Sequence, residues 1–407
     1  MRRLLQGDVG SGKTAVAAVA LASAVRAGWQ AALMAPTEIL ARQHHAGLGP
    51  LLEGLGVRAE FLSGSLPSKS KRAIHDAIAG GAAEVVIGTH AVISEAVEFP
   101  RLGLVIVDEQ HRFGVGQRAA LQAKGSGGEP HVLALTATPI PRTLALSVYG
   151  DLAISTIREL PPGREPIRTE IRDRRALPKI EAFLAAEAEE GRQSFVVVPL
   201  VAESSALQVA SADAEAERLR AALPQLRIGM VHGQQKAQAR DATMTAFAAG
   251  EMDLLVATTV IEVGIDVPNA SVILIEDAER FGLAQLHQLR GRVGRGRHRS
   301  FCILLSDVTD ELATRRLEVV RGSNDGFAIA EADLQLRGAG NLLGTRQSGL
   351  PPLRVASLFD PRHIELAQRA RALANGIVDA DPSLAGRPLL ARLQHDFAPI
   401  EDEGDAA

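Results

Sequence analysis

A single cysteine, Cys302, stands in 407 residues, which excludes an internal disulfide framework and fits a reducing cytoplasm. Lysine is almost as scarce, with six against 38 arginines, so a loop lysine such as Lys13 is not background from a lysine-rich surface. Excess positive charge is missing too. The formal net charge is −4, so any polyanion site must be a local cluster. No long low-complexity segment interrupts a chain that is 46% apolar, and its length suits two or three folded domains. No apolar run is long enough to span a bilayer. The nearest, Ala15 to Val25 behind Met1-Arg2-Arg3, resembles an export signal, but a polar Gly-rich loop separates charge from run. The run is read as a buried helix packed on a sheet, and no membrane partner is expected.

That loop is Gly7-Asp8-Val9-Gly10-Ser11-Gly12-Lys13-Thr14, a G-x-x-x-x-G-K-T sequence between a short apolar strand at Leu4-Leu5 and a helix expected over Thr14–Ala27. Small residues let successive backbone N–H groups curl around phosphates at a helix N-terminus. Gly7, Gly10 and Gly12 are therefore assigned to nucleotide binding. Lys13 is expected to neutralise the β- and γ-phosphates of a nucleotide, and the Thr14 hydroxyl can ligate Mg²⁺.

The rest of the first half alternates apolar strands, at Gln30–Ala35, Arg58–Leu62, Glu84–Gly88, Leu104–Val107 and Val132–Leu135, with helices at Glu38–Leu52 and Ser68–Ala79. Leu160-Pro161-Pro162-Gly163-Arg164 reads as a connector. A second alternating series follows, with strands at Ser194–Leu200, Arg227–Val231, Leu254–Ala257, Val272–Ile275 and Phe301–Leu305 and helices at Pro178–Glu190, Ala214–Ala222 and Lys236–Ala248. The expected fold is α/β, two tandem parallel-sheet domains over 1–160 and 161–306 with a C-terminal helical extension over 307–385. Residues 386–407 are expected to be a disordered tail.

Leu104 to Val107 leads into Asp108-Glu109-Gln110-His111, placing two carboxylates at a strand's carboxyl end, where α/β sheets hold ligands. Asp108 can hold Mg²⁺ through water, and Glu109 can orient and deprotonate the attacking water. Thr136-Ala137-Thr138 follows another strand of the same sheet and offers hydroxyls for a relay to the partner domain. Loops at Ala35-Pro36-Thr37-Glu38 and Gly88-Thr89-His90 expose hydroxyls and amides suited to tracking phosphates. The densest basic segment runs from Gln285 to Arg297. Such a run is usually a solvated turn, but its interleaved Gly and Gln give the guanidinium groups defined directions.

The series resembles the superfamily 2 helicases, with tandem RecA-like domains. The residues carrying the likeness are the phosphate loop, Asp108 to His111, Thr136 to Thr138, Val263-Gly264-Ile265-Asp266 and Gln288-Leu289-Arg290-Gly291-Arg292-Val293-Gly294-Arg295. Within them it is similar to the RecG helicases through Asp108–Val115, Thr138–Leu144, Ser323–Phe327, Glu331–Gly338 and Gly344–Gly349, from Arg3 to about Ile377. The resemblance implies a 3′-to-5′ ATP-dependent motor on branched or duplex DNA, remodelling stalled forks and Holliday junctions in recombination and repair, and a monomer. It implies that Arg295 is the arginine finger, with Arg292 beside it on the phosphates, and that Gly264 and Asp266 contact nucleotide. Gln110, His111, Thr136, Thr138, Gln288, Arg337 and Gln347 are its implied coupling residues. The family's N-terminal wedge domain and adenine-contacting segment have no counterpart here, so the expectation is a motor region alone. Two other readings stand beside this one: the motor of a transcription-repair coupling translocase, and a catalytically weak DNA-binding fragment.

Overall fold

A computed structural model describes residues 1–109, 129–139, 152–159, 165–199, 205–258, 267–296, 298–341 and 361–396. The first apolar strands form one parallel seven-stranded sheet. Its members are β1 (Arg2–Gly7), β2 (Gln30–Met34), β3 (Ala59–Leu62), β4 (Val85–Gly88), β5 (Leu102–Val107), β6 (His131–Thr136) and β7 (Ala153–Ile157), in the order β3-β4-β2-β5-β6-β1-β7. Strands such as Val85-Val86-Ile87 are buried on both faces because α1 (Lys13–Arg26), α2 (Glu38–Glu53) and α3 (Ser68–Ala79) cover the sheet. Register pairs Gln6 with Thr136 and Val107 with Ala134, so β1, β5 and β6 present their carboxyl ends along one edge.

The apolar helix α1 departs from expectation. Only the stripe Ala17, Leu21, Ala22 is buried, whereas Val16 and Val19 are exposed. A helix lying on a sheet covers one stripe at its 3.6-residue period, however apolar its other faces are.

The second sheet is also parallel. Strands β8 (Arg168–Arg172), β9 (Gln193–Val197), β10 (Ile228–Val231), β11 (Leu254–Ala257), β12 (Ala270–Ile275) and β13 (Phe301–Leu305) lie in the order β10-β11-β9-β12-β13-β8. Helices α4 (Leu177–Glu189), α5 (Ser205–Ala222), α6 (Ala237–Ala248) and α7 (Leu283–Arg290) follow the alternation, and α8 (Glu311–Gly322) and α9 (Gly326–Asn341) extend it. Phe195 and Phe247 anchor one face of the core, their ring centroids 4.9 Å apart.

Two strands were not anticipated, β7 and β8, and both are edges. Arg168 and Arg172 bracket Glu170 along β8, the charged dress that keeps an edge from pairing with another chain. The chain divides into two compact units. One comprises Met1–Pro141 with Asp151–Arg337 and holds both sheets; the other comprises Arg142–Gly150 with Gly338–Ala407. The second unit is described by α10 (Pro361–Ala380) and α11 (Pro388–Asp396). Helix α11 corrects the disordered tail expected from residue 386. Pro388 suits a first helical position, and the following leucines recur at helical spacing. The connector at 160–164 and the acidic end at 400–407 lie outside the described residues. Among those described, no helix is long and apolar enough to cross a membrane.

Glu276, just beyond β12, makes stability pH-dependent. Burial, then the charge of Glu215, pushes its carboxyl up to about 8 against the opposing pull of Arg174 and Arg218. A carboxyl raised in the folded state stabilises most below its unfolded value, here 4.5, and that contribution is lost as pH rises through about 8. Thermal melts between pH 5 and pH 9 should therefore show falling stability that Glu276→Gln largely removes. A Glu276→Gln variant as pH-sensitive as the parent would count against this.

Candidate active site

The turn leaving β1 is shaped by its glycines. Gly10 and Gly12 have φ of 75° and 90°, where only glycine sits without strain. A Cβ on Gly7 would stand 2.4 Å from the Ser11 hydroxyl oxygen. Lys13 folds back over this turn, and its Nζ donates to the carbonyl oxygens of Gly7 and Asp8 at 2.8 Å each. Burial pulls the Lys13 ammonium below its ordinary range, while Glu109, Asp108 and Asp8 oppose the loss and Arg295 adds to it. The Ser11 hydroxyl is buried without a hydrogen-bond partner. The first turn of α1 carries no acidic residue, so its amides and dipole favour an anion. A buried orphan hydroxyl, a desolvated ammonium and a bare helix N-terminus together fit a polyphosphate.

Asp108 and Glu109 stand on the neighbouring edge, just past β5. Glu109 has φ 51°, a rare conformation for a non-glycine residue, and its amide donates to Asp108 Oδ1 at 3.0 Å. Such local strain persists where the surroundings over-determine it. Burial, then the Asp108 charge, raises the Glu109 carboxyl above the usual range, opposed by Arg292 and Lys13. Asp108 Oδ2 is also engaged, with His44 Nε2 of α2 at 2.7 Å. Its oxygens retain lone pairs and the Thr14 residue is exposed; each is a hard-oxygen donor of the kind Mg²⁺ takes alongside phosphate oxygens. Among the described residues, no group of three or more His, Cys, Asp or Glu could hold a metal ion.

The second sheet sends α7 and the following turn to the same place. The basic segment is far from a solvated turn, since Arg290 and Arg292 are 2% and 4% exposed. Gly291 lets this turn approach the loop; a Cβ there would meet Val9 at 3.0 Å. Arg292 acts electrostatically on Glu109, Arg295 on Lys13, and Arg295 Nε donates to Gly291 O at 3.1 Å. Gln288 Nε2 donates to the Thr138 hydroxyl, and the Thr138 amide in turn donates to Thr136 Oγ1 at 3.2 Å.

Of the residues singled out in the sequence, Gly7, Gly10, Gly12, Lys13, Thr14, Asp108, Glu109, Thr136, Thr138, Gln288, Arg292 and Arg295 thus belong to one connected locus. Arg337 lies in α9. Gln110, His111, Gly264, Asp266 and Gln347 lie outside the described residues. Neither threonine of the loops read as phosphate trackers is exposed. Thr37 caps α2 by accepting from Leu40 N, and Thr89 is buried. His44, Asp8 and His287 were not anticipated. His287 Nε2 meets Asp8 Oδ1 at 2.7 Å across 279 positions of sequence, a contact no local pattern signals. Burial alone would raise the Asp8 carboxyl. The hydrogen bond to His287, with the amides of Val9 and Gly326, holds it below its ordinary value instead.

Three family models match in tandem: DEAD/DEAH box helicase over residues 2–146, helicase conserved C-terminal domain over 176–297, and ATP-dependent DNA helicase RecG, domain 3, C-terminal, over 323–393. The ATP-dependent DNA helicase RecG of Synechocystis sp. is 49% identical over 389 residues, 95% of this chain and 46% of that relative. That of Escherichia coli (strain K12) is 51% identical over 95% of this chain and 56% of its own length. Over 95% of its length the chain is thus similar to part of the RecG helicases. It spans about half the length of the curated relatives it matches. A solved structure of RecG bound to a three-way DNA junction superposes with a TM-score of 0.77 at 41% identity, covering 91% of this chain and 47% of that one. Saccharomyces cerevisiae Dbp5 bound to RNA and ADP BeF3 superposes at 0.59 with 17% identity over 84% of this chain and 89% of its own, a likeness of fold alone. The two parallel sheets match the tandem RecA-like helicase fold, and helices follow them.

Proposed function

We propose that this chain is the ATP-hydrolysing motor of a helicase or translocase acting on branched DNA in recombination and repair. One observation carries the reading. Lys13, Asp108 and Glu109 from the first sheet and Arg292 and Arg295 from the second act electrostatically within a single buried locus. A site split between two sheets responds to their relative movement, which is how hydrolysis becomes motion. Lys13 and the α1 amides bind the phosphates. Glu109 removes a proton from the attacking water, and Arg292 and Arg295 offset the charge that develops. Thr14 and Asp108 would hold Mg²⁺, which supplies charge neutralisation at the phosphates. Gly264 and Asp266 complete the nucleotide contacts. Gln110, His111, Thr136, Thr138, Gln288, Arg337 and Gln347 couple closure to DNA. The working divisions proposed are 1–160, 161–306 and 307–385, in a monomer acting in the cytoplasm.

The DNA preference comes from the relative seen on a three-way junction. ATP turnover by this chain is expected to rise with three-way-junction DNA more than with linear duplex. Lys13→Ala should lower the stimulated rate by about 100-fold or more. Stimulated turnover that survives Lys13→Ala would sink the proposal.

A further inference from the structure

We infer that Asp8 is a positioning residue that latches the phosphate loop to the start of α9, making the first turn of that helix respond to what the loop binds. The inference rests on the nucleotide-binding reading of the loop and adds a route by which occupancy leaves it. The Asp8 side chain is 15% exposed and holds two partners from beyond its own sheet. Its Oδ1 meets His287 Nε2 at 2.7 Å, and its Oδ2 accepts the Gly326 amide, the first of α9, at 3.2 Å. Asp325 Oδ1 accepts the next amide, Phe327 N, at 2.8 Å. Two of the four amides that a helix start leaves without helical partners are thus satisfied by carboxylates, one of them from the phosphate loop.

The other side of the latch is braced. Arg290 Nη2 lies 3.0 Å from His287 Nδ1, and a guanidinium can only donate, so Nδ1 accepts and Nε2 carries the hydrogen given to Asp8. Arg290 is fixed in turn by its Nη1, which donates to Val320 O of α8 at 2.5 Å. Gly326 is a steric requirement of the joint. A Cβ there would stand 2.4 Å from His287 Nε2 and 2.7 Å from Pro139 Cγ. The loop end can be released, because Lys13 Nζ holds the Asp8 carbonyl oxygen at 2.8 Å. An anion that draws the Lys13 ammonium away frees the peptide of the residue whose carboxylate grips α9.

The test is hydrogen–deuterium exchange on the whole chain, with and without adenylyl imidodiphosphate and Mg²⁺, in the parent, Asp8→Asn and Gly326→Ala. Without nucleotide, both variants should exchange about tenfold faster at 326–330, while α4 stays at its parental rate as a control for folding. Adding the analogue should change exchange at 326–330 in the parent and leave Asp8→Asn unmoved. Equal exchange of parent and variants without nucleotide, or an undiminished response in Asp8→Asn, overturns the latch. A parent that binds no analogue fails the nucleotide reading instead, and the nucleotide-free arm still decides the joint. In DNA-stimulated turnover, Asp8→Asn, His287→Gln and the double variant should lose comparable activity, because each opens the same contact. Losses that multiply would also overturn it.

Discussion

Glu109→Gln should bind nucleotide within a few-fold of the parent yet turn ATP over roughly 10²- to 10⁴-fold more slowly, the span general-base removal costs. The substitution keeps size and shape, so the backbone at φ 51° and the bond from the residue-109 amide to Asp108 Oδ1 have no reason to change. What disappears is a carboxylate whose proton affinity is set by its surroundings. Burial and Asp108 raise it, and Arg292 and Lys13 restrain it. A base tuned upward accepts a proton from water more readily than an ordinary carboxylate, at the cost of being protonated sooner as pH falls. The activity of the parent should therefore drop on its acid side at a pH above the ordinary carboxylate range. Steady-state turnover beside titration with a fluorescent nucleotide separates chemistry from binding. If the Glu109→Gln variant kept more than about a tenth of parental turnover, well above the loss general-base removal brings, another group would have to be the base.

The parts of the site written contiguously were legible in the sequence. Gly7 to Thr14 is one turn, and its glycines, lysine and threonine stand where the φ values and the α1 N-terminus require them. Asp108 and Glu109 were equally plain, because an apolar run that stops abruptly at carboxylates marks a strand's carboxyl end. What could not be read depends on packing between distant segments. Asp8 passed as an unremarked loop position, although its carboxylate joins residues 279 and 318 positions away. His44 reaches Asp108 only because α2 lies across the end of β5. Arg290 was given no role of its own within the basic segment, yet it is buried against Val320 and Thr169. Edge strands β7 and β8 escaped notice for the opposite reason, as their polar alternation carries no run of buried residues for a pattern to find. Periodicity reports burial, so it misses elements that need little and misreads polar groups that are buried in pairs.

Arg295→Ala should lower kcat by about 10³-fold or more, with KM altered far less, as expected when a guanidinium meets charge that develops only in the transition state. Arg292→Ala should lose activity too, but with a different signature. The Arg292 charge holds the Glu109 carboxyl down, so deleting it leaves burial and Asp108 opposed chiefly by Lys13. Glu109 then keeps its proton to higher pH, and the acid limb of the pH–rate profile moves upward. Arg295 bears on Lys13 instead, and its removal should leave that limb in place. Lysine at either position keeps the charge and loses the planar fork. Arg292→Lys should therefore restore the position of the acid limb without restoring the full rate. Full pH–rate profiles of Arg292→Ala, Arg292→Lys, Arg295→Ala and Arg295→Lys decide the matter. An acid limb that stays put in Arg292→Ala, or that moves in Arg295→Ala, would mean the two arginines do not divide the work between base and phosphate as their placement implies.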